Sequence, residues 1–128
     1  MVFKDTSIPI YVMGDGFKMA FTYIALLNSV NKGVIMVEEP ELHQHPSSLR
    51  LVSEAIVRSA KYRKNQIFIS THSLETVDFI LEAAEKLKVE DKVKVFYFML
   101  DKGRLHIVSY TYQEALKLRK DLEYDLRG

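Results

Sequence analysis

The feature that most constrains the fold is a run of four apolar residues at positions 34–37, which leads directly into Glu38 and Glu39. The surrounding segment reads VIMVEEPELHQHP. A continuous β-rich run of this length is too short for a helix and is typical of a central parallel strand that is covered on both faces. The sequence therefore predicts a buried strand whose tip carries two carboxylates, although burying charge is costly.

Apolar periodicity and turn residues predict the other elements of the chain. The predicted strands are 8–12, 34–37, 66–70 and 93–100, with 105–109 returning as a hairpin partner after the turn Asp101-Lys102-Gly103; the predicted helices are 17–31 with Gly33 as a left-handed cap, one opening at Pro46, one capped by Ser73, and 112–123. Strands and helices alternate, which predicts a three-layer α/β fold with a small, mostly parallel sheet flanked by helices and a C-terminal β-hairpin. The length of 128 residues predicts a single domain.

The composition narrows the class of protein. With 48% hydrophobic and 27% charged residues and a formal net charge of +1, the chain resembles a globular protein without a basic nucleic-acid signature. It has no cysteine, which excludes disulfides and thiolate metal sites and is compatible with the cytoplasmic location that we predict. It also has no apolar run near the roughly 20 residues that a membrane span needs, and no signal-peptide core follows Met1.

Polar side chains follow two neighbouring strands of the predicted sheet. Glu38 and Glu39 follow the first strand, and His72 follows the second. Ligand chemistry gathers at the carboxyl ends of parallel strands, so these groups are expected to meet. The first carboxylate can hold magnesium, which prefers oxygen ligands. The second can deprotonate a water aimed at a phosphate, and the histidine can donate a hydrogen bond to that phosphate.

Three segments of the chain resemble parts of ABC-type ATPases. VIMVEEPELHQHP resembles the Walker B and D-loop segment, most closely that of the OLD-like (overcoming lysogenisation defect) and RecF-like branch. IFISTHS resembles the strand and switch histidine that follow, and YVMGDGFKMAFTYIALL resembles the signature loop and helix that precede. Together they span residues 11–73 in the order found in that family.

The resemblance implies a role for each matching residue. Glu38 stands at the Walker B position, which usually holds aspartate and binds the magnesium shell. Glu39 matches the catalytic base, and His72 matches the switch histidine at the γ-phosphate. The signature loop, which would face a nucleotide held by a partner subunit, corresponds to Gly14, Asp15 and Gly16. A Gly-rich turn that opens a helix also exposes backbone N–H groups and the positive end of the helix dipole to an anion.

The phosphate-binding pattern G-x-x-x-x-G-K-[ST] is absent from the chain, because none of the five glycines is followed by lysine. The resemblance therefore covers only the C-terminal part of an ATPase head, lacking the Walker A lobe. We predict ATP and Mg²⁺ as cofactors only where a P-loop-containing lobe or subunit completes the site. The other expected partners are a second copy of the chain and DNA-linked machinery, with no membrane.

Two alternatives come from other classes of protein. The first is a non-catalytic interaction module derived from an ATPase, which would pair through an exposed sheet edge. The second is a metal-dependent hydrolase. His43 and His45 are two residues apart, a spacing that can ligate zinc, and His72 and Glu38 could complete such a site.

Overall fold

The computed structural model describes residues 2, 3 and 6–121. In chain order the elements are β1 (Val2–Phe3), β2 (Thr6–Ser7), α1 (Asp15–Ser29), β3 (Val34–Glu38), α2 (Pro46–Arg63), β4 (Gln66–Ser70), α3 (Leu74–Lys86), β5 (Lys94–Asp101), β6 (Arg104–Thr111) and α4 (Tyr112–Asp121), with one-turn 3-10 helices at Ile10–Val12 and Glu90–Lys92. The predicted fold class is confirmed: a small parallel sheet, helices and a C-terminal antiparallel hairpin. The predicted end of the last helix at 123 lies outside the described residues. Within residues 2–3 and 6–121, no helix has the length and apolar character to cross a membrane.

The parallel strand pair β3–β4 positions the candidate site. The two strands run side by side through a crossover that includes α2, with Val34 opposite Gln66 and Glu38 opposite Ser70. Their carboxyl ends therefore lie at the same edge of the pair, as the sequence predicts. The residues that follow each strand enter the loops at that edge.

Helices cover one face of the strand pair. Ile35 and Val37 are each 5% exposed and pack with residues of α1 and α2 and with Ile80 of α3. The alternate side chains point the other way, and Met36 and Phe68 are 81% and 51% exposed. The prediction that the run is covered on both faces is therefore wrong for the residues that the structure describes. The reason is that three helices share one side and none of the described elements covers the other.

The hairpin β5–β6 follows its predicted turn. Lys102 and Gly103 have φ values of 46° and 77°, as a two-residue turn with both central residues left-handed requires. Val95 and Tyr110 stand opposite each other and pack against a core formed with α3 and α4. Among the described strands, β5 pairs only with β6. The parallel sheet of the described residues therefore consists of the two strands β3 and β4.

The predicted strand at 8–12 is wrong. Residues Ile10–Val12 form a 3-10 turn, and Pro9 before them has φ −62° and no N–H to donate to a strand ladder. Helix α1 then begins at Asp15, two residues before the predicted start, with Gly14 as its N-cap.

Gly33 does not provide the predicted left-handed cap. Lys32 takes that conformation, with φ 53°. Gly33 is constrained instead by close packing, because a Cβ atom there would lie 2.6 Å from Cγ1 of Val30. The position needs a small residue and not an unusual backbone.

Asn65, which is 5% exposed, joins the ends of several elements at the amino edge of the strand pair. Its Oδ1 accepts a hydrogen bond from Gly33 N at 2.9 Å, and its Nδ2 donates to Val30 O at 2.8 Å and to Ser59 Oγ at 2.9 Å. Gln66 N donates to Gly33 O at 2.9 Å beside it. This network holds the first residues of β3 and β4 in register, and so sets which residues meet at the opposite edge.

Candidate functional site

The carboxyl edge of β3–β4 brings the predicted acid and histidine together. Glu39 N donates to Ser70 O at 2.8 Å, which extends the parallel ladder by one residue. The His72 Nε2 atom lies 3.7 Å from Glu39 Oε1, a distance that forms an ion pair when the imidazole is protonated. The Glu39 and His72 side chains are 35% and 81% exposed, so solvent and ligands can reach both groups.

Backbone strain marks the loop that carries these groups. Glu39 and His43 have φ values of 43° and 60°, in the left-handed region that costs a non-glycine residue about 1–2 kcal/mol. Pro40, between them, is among the most completely buried side chains. Surrounding contacts hold such residues in place. Four other non-glycine residues of the described chain share this conformation, so it fixes the shape of the loop and does not by itself mark a functional site.

The position and exposure of Glu38 suit a magnesium ligand. It stands at the last position of β3, is exposed, and makes no side-chain hydrogen bond or ion pair with any residue that the structure describes. No three His, Asp or Glu side chains within the described ranges are grouped as metal ligands. Magnesium is commonly held by one or two carboxylates with water and phosphate oxygens as its other ligands, so a single carboxylate suits it.

The histidine pair does not form the zinc site of the hydrolase alternative. His45 is the N-cap of α2, and its Nδ1 accepts a hydrogen bond from Ser47 N at 3.3 Å. Across residues 2–3 and 6–121, His43 and His72 do not join it in a metal-ligand cluster. The described residues therefore give that alternative no support.

The glycine-rich segment at residues 14–16 contacts the loop that follows β3. Gln44 Nε2 donates to Gly16 O at 3.2 Å, and a Cβ atom on Gly16 would lie 2.5 Å from His43 O. Asp15 forms an exposed ion pair with Lys18 at 3.3 Å, a type of contact that contributes little to stability. The predicted signature loop and D-loop segments are thus direct neighbours, and Gly16 is the residue that permits their approach.

Replacing Gly16 by alanine is expected to lower the free energy of unfolding by about 1–3 kcal/mol, because the new methyl group must displace the backbone at His43. Urea denaturation monitored by circular dichroism measures the change. Gly14→Ala is the matched control: its Cβ would meet no atom within 4 Å, and the poorer N-cap costs less than about 1 kcal/mol. Equal losses in the two variants would contradict the close approach at Gly16.

The structure adds Glu41 to the residues that the sequence identified. Its carboxylate bonds to the turn that carries His72, across 30 to 35 residues of sequence. The pKa of Tyr23 on α1 is raised, mainly by burial and further by the negative charge of Glu41. The one sequence signal for this residue was its place in the segment VIMVEEPELHQHP, which gave no partner.

Comparison with known proteins provides a family. The model of a family described as "AAA domain, putative AbiEii toxin, Type IV TA system" matches residues 4–78, a range that includes every candidate site residue. An uncharacterised protein of Methanocaldococcus jannaschii is 38% identical over 117 residues, which cover 91% of this chain and 100% of the relative.

A solved structure has a similar fold. It is described as "Structural biochemistry of ATP-driven dimerization and DNA stimulated activation of SMC ATPases", and it aligns with a TM-score of 0.63 over 94% of this chain and 68% of that chain. At 16% sequence identity this likeness shows the fold alone.

Proposed function

The chain belongs to the AAA domain family, and from that premise we propose that residues 1–128 form the C-terminal part of an ABC-type, OLD-like ATPase head. This part contributes the Walker B, signature and switch-histidine elements, and it hydrolyses ATP only when a Walker A lobe completes the site. The observation that carries the proposal is the pairing of Glu39 with His72, 3.7 Å apart, at the strand edge that ends in Glu38.

Each of these side chains has one task in the proposed site. Glu38 holds Mg²⁺, which when bound neutralises part of the charge on the phosphates. Glu39 accepts a proton from the attacking water and orients that water. His72 donates a hydrogen bond to the γ-phosphate from the neighbouring strand. The loop at Gly14 and Gly16 directs backbone N–H groups and the positive end of α1 toward a nucleotide held by a second head.

An uncovered apolar surface supports the proposal that a partner lobe binds to this chain. On β3–β4, Val34, Met36 and Phe68 are exposed on the side away from the helices. On the hairpin, one face carries large apolar residues that are each 50–73% exposed: Phe96, Phe98, Leu100, Leu105 and Ile107. Isolated exposed apolar residues are ordinary, whereas a contiguous group of large ones marks an interaction site.

Helix α3 connects the two strand pairs. Its residue Ile80 packs against the core under β3–β4 and against the core that includes Val95 of the hairpin. Each strand pair therefore has one face packed on the helices and one apolar face that is exposed. We propose that the Walker A lobe covers the exposed apolar residues of β3–β4 and of the hairpin.

The test is to combine the purified chain with the Walker A lobe, either as a separate polypeptide or joined to residues 1–128. Magnesium-dependent ATP hydrolysis is expected only when both parts are present, and it should be lost when the Walker A lysine is replaced by alanine. The lysine variant also shows that the activity belongs to the assembled site and not to a contaminant.

The interaction module is the second candidate, because the uncovered apolar surface favours docking whether or not ATP is hydrolysed. A stable complex of the chain with the Walker A lobe that never hydrolyses ATP would support the interaction module and contradict the ATPase proposal. Activity of the chain alone with zinc or manganese would instead favour the metal-dependent hydrolase.

A further inference from the structure

Glu41, in the loop after β3, hydrogen-bonds to the turn after β4 and to the first turn of α3. We propose that Glu41 is a positioning residue, which fixes the turn that carries His72 and thereby holds the imidazole beside Glu39. The inference rests on the proposed function for the meaning of that pairing, although the contacts themselves can be tested on the chain alone.

Both carboxylate oxygens of Glu41 are occupied. Oε1 accepts hydrogen bonds from Thr71 Oγ1 at 2.7 Å and from His72 N at 3.2 Å. Oε2 accepts one from Thr76 Oγ1 at 3.1 Å, and Thr76 is 1% exposed. A carboxylate with both oxygens engaged has little capacity left for a metal ion or an attacking water. This distinguishes Glu41 from Glu38 and Glu39.

The bonds continue into the start of α3. Thr71 Oγ1, while donating to Glu41, accepts from Ser73 N at 3.0 Å, and Ser73 Oγ accepts from Thr76 N at 3.3 Å. The N–H groups at a helix start have no partner inside the helix, and here side chains satisfy them in sequence. A negative charge at this end is also favoured by the helix dipole. Glu41 is therefore the point at which the loop after β3 connects to the turn after β4.

The His72 ring itself is 81% exposed, so little packing holds it, and the position of its backbone sets how far the ring can reach toward Glu39. Glu41 holds that backbone through the His72 N–H. A loss of the carboxylate should free residues 71–73 to move while β3 and β4 stay paired, because the strand register depends on backbone bonds and on Asn65 at the other end.

The experiment compares amide hydrogen exchange by NMR in the wild-type chain, Glu41→Ala and Thr76→Val. We expect exchange at His72 and Ser73 to accelerate about tenfold to a hundredfold in Glu41→Ala, as expected for loss of a hydrogen bond to a charged group. A smaller acceleration is expected in Thr76→Val, which keeps the carboxylate but removes one of its donors. Glu75→Ala is the matched control, since Glu75 is an exposed acid in the first turn of α3.

Three outcomes of the exchange experiment decide whether Glu41 fixes the turn. Faster exchange confined to residues 71–76, with Val37 and Ile69 unchanged, supports the proposal. Unchanged exchange at His72 overturns it, and so does equal acceleration at His72, Val37 and Ile69, because Glu41 would then stabilise the whole fold. If Glu41→Ala fails to fold, Thr76→Val gives the same three outcomes.

A kinetic measurement on the chain combined with the Walker A lobe adds the link to function. Because a misplaced catalytic group slows the chemical step, Glu41→Ala should lower kcat for ATP about tenfold or more with KM nearly unchanged, and Glu41→Gln, which keeps an acceptor oxygen, should restore part of the loss. An unchanged kcat would overturn the positioning role. Absence of ATPase activity in the wild-type combination would count against the proposed function, while the exchange result would still decide whether Glu41 fixes the turn.

Discussion

Replacing Asn65 by alanine is expected to lower the free energy of unfolding by about 3–5 kcal/mol, a large fraction of the 5–15 kcal/mol that holds a typical domain together. The substitution removes three hydrogen bonds and leaves Gly33 N–H and Val30 C=O without the partner that each has now. Burying an unsatisfied polar group costs about 1–3 kcal/mol, and Asn65 is 5% exposed, so water does not readily replace the side chain. Chemical denaturation measures the loss as a lower unfolding midpoint, when the dependence of the unfolding free energy on denaturant concentration is the same in the variant and the wild type.

Asn31→Ala provides the matched control for this prediction. Asn31 adjoins Val30, one of the residues that Asn65 bonds, but it is exposed and only accepts a hydrogen bond from Arg63 at 3.1 Å. Its replacement should change the free energy of unfolding by no more than about 0.5 kcal/mol. If Asn65→Ala cost no more than Asn31→Ala, the network would not be what holds β3 and β4 in register.

Elements that depend on local chemistry were predictable from the sequence. The strand at 66–70 has the bounds Gln66–Ser70, and the helix predicted to open at Pro46 does so. Proline suits the first position of a helix, and Ser73 satisfies an N–H at the start of α3 through its own side chain. The meeting of Glu39 and His72 followed from one further rule, that parallel strands end at a common edge.

Features that depend on distant partners were not predictable. A continuous apolar run does not reveal how many helices reach each of its faces, and Met36 is exposed because the three helices that pack on the strand pair all reach the other one. Asn65 and Glu41 find most of their partners 30 to 35 residues away in the chain. No local pattern distinguishes such a residue from an ordinary surface amide or acid.

The functional prediction with the largest expected effect is Glu39→Gln. In the chain combined with the Walker A lobe, kcat for ATP should fall about a hundredfold to ten-thousandfold, because an amide cannot accept the proton of the attacking water. KM should change little, since Glu39 acts on water and makes no contact with the nucleotide in the proposed site. Steady-state ATPase assays at saturating Mg²⁺ measure both quantities.

The substitution isolates chemistry from folding. Glutamine matches glutamate in length and meets the same left-handed backbone at φ 43°, and the bond from the residue 39 N–H to Ser70 O at 2.8 Å needs no side chain. The thermal midpoint should therefore stay close to that of the wild type, and so should the kcat of Glu75→Gln, an exposed acid outside the proposed site.

Glu38→Gln gives the contrast that separates the two neighbouring carboxylates. Its loss of activity should shrink as Mg²⁺ is raised, because it weakens the hold on the ion, whereas the Glu39→Gln loss should be the same at every Mg²⁺ concentration. A Glu39→Gln variant that kept more than about a tenth of the wild-type kcat would remove this residue from the role of base. The short distance to His72 would then reflect only the geometry of two neighbouring strand ends.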